Sequence, residues 1–168
     1  MSASLALRLR WFAFALGAEA LHLAWEAMHG GIVTHHLMQR SDWPGLSNAW
    51  GLLVVPALAA WAAGRWDGAA AQRRQVAWGG VVALAWGLAL STAFAWPWPA
   101  ATEVLFFGLL LAALAWPVHR AECLLGWVLG MSWTFGALLP TAIGAVLMLL
   151  SWSARGAAGR AYRWARPH

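Results

Sequence analysis

The chain has 168 residues, of which 62% are hydrophobic and 10% charged, with a mean hydropathy of +0.61. A soluble domain of this size carries roughly a quarter charged residues, so the composition excludes an ordinary soluble enzyme and describes one integral membrane domain. The formal net charge of +5 comes from arginine alone, because lysine is absent. In an apolar chain such a surplus reports topology and contact with anionic lipid, and no nucleic-acid-binding module accompanies it. The single Cys123 leaves no internal disulfide to form. Fifteen tryptophans exceed expectation and suit interfacial belts and helix packing.

In chain order, Arg8 and Arg10 precede an apolar run whose Ala18-Glu19-Ala20 has the small-x-small pattern of a signal-peptide cleavage site. We read this run as the first membrane span, about Trp11 to His29, stopped by Gly30-Gly31. A polar loop with Asp42 and the turn Trp43-Pro44-Gly45 follows. The second span is expected from about Ser47 to Ala63 and the third from Val76 to Ala95. The rigid turn Trp96-Pro97-Trp98-Pro99 leads to a fourth from Ala101 to Trp116.

The last apolar stretch, Cys123 to Trp152, is long for one span and short for two, and Gly130, Gly136, Pro140 and Gly144 interrupt it. Five spans with a kinked last helix suit segment length. A sixth segment or hairpin suits the arginines, since it puts ten on one side and only Arg40 on the other. The expectation is an all-α polytopic bundle of about five spans, or six with a hairpin. Its N-terminus is inside, it sits in a bacterial cytoplasmic membrane, and the Arg-rich tail 153–168 is an interfacial helix or a loose end.

The polar chemistry is concentrated between Glu19 and Asn48, which holds four of the six histidines and three of the six acids. Glu19, His22, Glu26 and His29 are spaced +3, +4 and +3, so they fall within an arc of about 80° on one helix face. Imidazole and carboxylate at this spacing suit a divalent transition metal, zinc or iron foremost, and Glu-x-x-His pairs hold di-iron in helix bundles. His22, Glu26, His29, His35 and His36 are the candidate metal ligands. Glu19 and Asp42 are the candidate general acid/base groups, with His35, His36 and Asp42 as a lid. Asn48 and Glu103 are candidate supporting groups. Asn48 and Ser47 also suit N-terminal caps of the second helix, and Glu103 suits the dipole of the fourth.

With the N-terminus inside, Ser47, Asn48, Ser91, Thr92, Thr102 and Glu103 all come to the same membrane depth as this stripe. His119, Arg120, Glu122 and Cys123 form a second polar group on the inner side, read as a solvated loop.

Pro99 to Phe107, PAATEVLFF, resembles the Pro-x-Glu-Glu-x-Leu-Phe-Phe stretch of small membrane-bound lycopene cyclases over fewer than ten residues. Glu103 matches one acid of that pair, Thr102 replaces the other, and the spacing to Pro99 differs. The resemblance implies a carboxylate working on a hydrophobic substrate that enters from the membrane.

Three function classes follow. The first is a metal-dependent membrane enzyme, hydrolase or oxidoreductase, acting on a lipid or isoprenoid. The second is a metal-ion or proton transporter using Glu19, His22 and Glu26. The third is a haem- or pigment-binding subunit with His22 as axial ligand.

Overall fold

The computed structural model describes residues 3–36, 44–66 and 70–165. It is all-helical apart from one short ribbon, with six helices among the described residues. Helix α1 (Ala3–Met28) ends where Gly30 and Gly31 take φ of 127° and 102°, values open to glycine and strained for other residues. The N–H groups of His29 and Gly31 both close on the Glu26 carbonyl at 3.0 Å. Strand β1 (Thr34–His36) then pairs antiparallel with β2 (Gly45–Ser47) in the register Thr34↔Ser47, His35↔Leu46 and His36↔Gly45. One 3₁₀ turn (Asn48–Trp50), capped by the Ser47 hydroxyl on the Ala49 N–H at 3.2 Å, leads into α2 (Gly51–Ala63).

Helix α2 runs back along α1. A Cβ placed on Gly51 would lie 2.7 Å from a Glu19 carboxylate oxygen, and one on Gly64 would collide with the Arg8 guanidinium. The Glu19 and Arg8 side-chain ends thus lie directly on the two glycines of α2's ends. Helix α3 (Ala70–Ala95) returns, the Trp-Pro turn follows, and α4 (Pro99–Ala115) begins with proline at its first position, where the missing N–H costs nothing.

Helices α3 and α5 (Ala121–Phe135) pack parallel along a seam of glycines. Gly79 and Gly80 meet Glu122, Gly126 sits on Gly80, and Gly87 and Gly130 face each other near Leu84 and Leu88. The Ser91 hydroxyl donates to the Gly130 carbonyl at 3.0 Å, and the Phe94 and Phe135 rings meet at 4.7 Å. Small residues four apart, as at Gly126 and Gly130, let helix backbones touch, which is how helices associate when the solvent is itself apolar.

The last apolar stretch is two helices, which corrects the single kinked one. Gly136 (φ 67°, ψ −179°) cannot continue a helix, and its N–H closes α5 on the Ser132 carbonyl at 2.9 Å. Helix α6 (Leu138–Ala165) then folds back antiparallel to α5. The Trp127 indole donates to the Pro140 carbonyl at 3.0 Å, Gly144 lies against Leu124 and Trp127, and His119 meets Ser151 at 3.3 Å. Helix α6 continues to Ala165, and Arg155 donates to the Ala115 carbonyl at the end of α4. At about 1.5 Å per residue, its 28 residues span about 42 Å.

The core joins Val55, Leu58, Leu109, Leu124, Trp127, Val128 and Met131 from α2, α4 and α5 with Ala15, Leu90 and Leu147 from the others. Among the described residues, Ala71–Ala95 and Leu138–Trp164 are long and apolar enough to cross a membrane. Asn48–Ala63 and Pro99–Ala115 are shorter apolar helices.

The glycine seam generates a contrast. A Cβ at Gly130 would lie 2.6 Å from the Leu84 carbonyl and 2.8 Å from the Leu88 nitrogen, so backbone must move. Gly130→Ala should destabilise by about 1–3 kcal/mol. Gly17, with nothing within 4 Å of its added Cβ, should tolerate alanine or gain up to about 1 kcal/mol of helix propensity. Unfolding in detergent compares the two. Equal effects would show that α3 and α5 do not touch as described.

Candidate functional site

The site is built at the end of the bundle where α1 stops, α2 starts and α5 hands over to α6. Glu26, one turn from the end of α1, is 6% exposed. Its Oε1 accepts from the Asn48 side-chain nitrogen at 2.6 Å, and its Oε2 accepts from the Val33 N–H at 3.1 Å. The Asn48 backbone N–H in turn donates to the Val33 carbonyl at 2.9 Å. One carboxylate thus pins the helix end, the ribbon and the start of α2 together.

His22 lies between two carboxylates. Its Nε2 is 3.5 Å from Glu26 Oε1 and its Nδ1 is 3.6 Å from Glu19 Oε2. The imidazole also stacks on Trp133 of α5, with ring centroids 5.6 Å apart. Glu19 rests on Gly51 at the N-terminal end of α2, where the helix dipole favours negative charge. The +3, +4 spacing therefore brings Glu19, His22 and Glu26 into one row, as the helix geometry predicts.

His29 departs from the row. It donates from Nδ1 to the Trp25 carbonyl one turn back at 2.8 Å and stacks on the Trp25 ring at 4.6 Å. As an exposed residue in the unwinding end of α1, it is satisfied locally.

His35 is half-buried over the row, and His36 is exposed beside Gly45 at the ribbon's outer end. Of the residues expected as a lid, His35 is turned inwards toward Asn48 and Gly136. Asp42 lies outside the described residues.

His35 Nε2 and Asn48 Oδ1 are both buried and face each other without an aligned hydrogen bond. Burial pulls the His35 pKa below its ordinary 6.5, while the Glu26 charge and Asn48 oppose that shift. Gly136 closes the far side, since a Cβ there would stand 2.6 Å from Asn48 Oδ1.

Asn48 holds Glu26 and faces His35, and Ser47 provides the cap. The hydroxyls placed at this depth are occupied elsewhere. Thr92 donates to the Leu88 carbonyl, Thr102 to the Trp98 carbonyl, and Ser91 to the Gly130 carbonyl. Glu103 stands apart on α4, exposed and beyond the first turn, at the edge of an apolar cleft of about 470 Å³ between α3, α4, α5 and α6. Phe135 lines that cleft, and its neighbour Gly136 faces Asn48.

Among the described residues, no three His, Cys, Asp or Glu side chains converge as a metal site. His22 and Glu26 present a nitrogen and an oxygen 3.5 Å apart, and Glu19 stands on the other ring nitrogen of His22.

The second polar group is not a solvated loop. Glu122 is 4% exposed and lies 2.8 Å from Arg65 Nε, close but not aligned as a hydrogen bond. Ser151, fully buried, donates to the Trp116 carbonyl and so receives His119 Nδ1 as a donor. Gly51, Gly136 and the Val33 N–H escaped sequence reasoning. Gly136 alone carried a signal, and it read only as helix interruption.

No protein-family model, no curated protein and no solved structure matches the chain.

His35 generates a pH test. Its folded-state pKa is depressed, so below about pH 6.5 the unfolded chain binds a proton that the folded chain resists. Stability should fall as pH drops from about 6.5 towards the folded pKa, and His35→Gln should flatten that slope. Denaturant unfolding at several pH values measures it. An unchanged slope would place His35 in solvent.

Proposed function

We propose that this chain is a polytopic membrane protein with an acid–base centre at the Glu19–His22–Glu26 row, acting on an apolar substrate dissolved in the membrane. The observation that carries the reading is Glu26: a buried carboxylate whose neighbours are Asn48, a backbone N–H and the imidazoles of His22 and His35. A carboxylate taken out of water needs a compensating positive charge or a proton. Among the described residues its partners are the Asn48 amide, the Val33 N–H and the His22 imidazole, so in this reading a proton is passed within the row. His22 then accepts a proton on one nitrogen and releases one from the other, with Glu19 on the Nδ1 side and Glu26 on the Nε2 side. Asn48 and Gly136 hold Glu26 at a fixed distance, and Trp133 sets the plane of the imidazole.

Two features favour an enzyme over a transporter. The row does not continue through the bundle, because Val55, Leu58, Ala59 and Val128 fill the interior between it and Glu122. Aromatic rings run beside it, from His22 to Trp133 to Trp25, and suit an apolar substrate. For a metal ion, His22 and Glu26 make an incomplete donor set. The carboxylates flanking His22 disfavour a porphyrin ligand.

The chemistry predicts that Glu26→Gln or His22→Gln removes general acid–base catalysis, typically worth a factor of about 10²–10⁴. Mass-spectrometric comparison of membrane lipids from cells producing each form at equal amounts should show a species that changes with the wild type alone. Identical extracts would sink the enzyme reading. One equivalent of zinc or iron in the purified protein, lost in both variants, would replace the proton reading by the metal one.

For topology we infer six crossings with both chain ends inside. All nine described arginines lie at the end opposite the row: Arg8, Arg10, Arg65, Arg73, Arg74, Arg120, Arg155, Arg160 and Arg163. The acids Glu19, Glu26 and Glu103 lie at the other, an asymmetry that supports a cytoplasmic arginine end. In intact cells an impermeant maleimide should label Trp98→Cys and leave Ala158→Cys unlabelled until permeabilisation. The reverse pattern inverts the protein, and labelling of both positions removes a crossing.

A further inference from the structure

We propose that the cleft between α3, α4, α5 and α6 is a binding site for an amphiphile with a hydrocarbon chain and a cationic head group. It deepens the membrane-enzyme reading by naming a ligand class, and rests on it only for the ligand's purpose.

Volume and charge together select the ligand. About 470 Å³ lies within the range of small-molecule sites. Five aromatic side chains line the cleft, Phe94, Phe106, Phe107, Trp127 and Phe135, and Glu103 is the one ionisable group among the lining residues. No lining cation offsets that carboxylate, and aromatic faces add to a negative field. A carboxylate head would meet repulsion here and a neutral head only a hydrogen bond. An ammonium gains charge, hydrogen bond and aromatic contact together.

The walls are held in place. Trp127 is tied to the Pro140 carbonyl, Phe94 packs on Phe135, and Trp86 behind α4 donates to the Leu105 carbonyl at 3.2 Å. The cleft therefore does not depend on a ligand to form. Phe106 and Phe107 are 42% and 61% exposed at its edge, so it opens sideways and a chain enters from the apolar phase. Glu103 lies about one turn beyond the Trp-Pro turn that starts α4, at the depth where tryptophan belts sit. The head thus stays at the interface while the tail lies inwards.

The test uses the intact protein in detergent and three diazirine-bearing probes of equal chain length, a primary amine, an alcohol and a carboxylic acid. Peptide mapping should place the amine label on α4 and α6 around Phe106, Phe107 and Ile143, with the order amine, alcohol, acid. Glu103→Gln should cut the preference for amine over alcohol about tenfold, the equivalent of one charge-assisted hydrogen bond. Glu103→Lys should invert the order, and because this side chain is exposed both variants should fold. Ile143→Trp, which fills the cleft, should abolish labelling there by every probe. Equal labelling by all three probes, or label spread over the whole apolar surface, would reduce the cleft to ordinary lipid contact. If that occurs while the Glu26-dependent lipid change persists, the cleft assignment falls and the acid–base reading stands.

Discussion

The hydrogen bond from Asn48 to Glu26 is the constraint on which the end of the molecule carrying the Glu19–His22–Glu26 row depends. It joins residues 22 apart in the chain across a ribbon too short to be stable by itself. A hydrogen bond to a charged group is worth about 1.5–3 kcal/mol, and leaving the buried carboxylate unpartnered would cost more. With Glu26 held, the end of α1 cannot unwind further, the Val33 N–H is satisfied and α2 starts at a fixed place. His22 and Glu19 then fall into contact distance by helix geometry alone.

The other end of that constraint is set by the glycine seam. In an apolar solvent, burying side chains against each other gains little over leaving them in lipid, so helices associate through close backbone contact. Gly80, Gly87, Gly126 and Gly130 supply it for α3 and α5. The seam positions the end of α5, and so positions Gly136 against Asn48. Because α3 and α5 run parallel, α4 and α6 must flank them on the way back. The space left between these four helices is the cleft beside Glu103.

The two ends of the bundle differ in how they handle charge. At the arginine end, guanidinium groups lie at helix C-termini, Arg8 over the end of α2 and Arg155 on the last carbonyls of α4, where the helix dipole favours a cation. Arg65 also neutralises Glu122 directly. At the other end no permanent cation is present among the described residues, and the carboxylates are held by amides and imidazoles. At one end the described acid faces a guanidinium, and at the other Glu26 faces an amide and an imidazole.

The sequence by itself determined that the molecule is apolar and helical, and it determined the Glu19, His22, Glu26 row. Composition and helical period are local properties that survive any tertiary arrangement. It located the helix stop at Gly30-Gly31 for the same reason. It left the stretch from Cys123 to Trp152 ambiguous, because a glycine or proline in an apolar run marks a kink, a turn or a packing contact alike. Only the φ of Gly136 separates these. The tertiary structure alone decided that His29 leaves the row, that Asn48 serves Glu26, and that Glu103 belongs to a separate cleft. It also decided that Glu122 is buried against Arg65. Each depends on a partner from another helix, and no pattern along one helix encodes the distance to another.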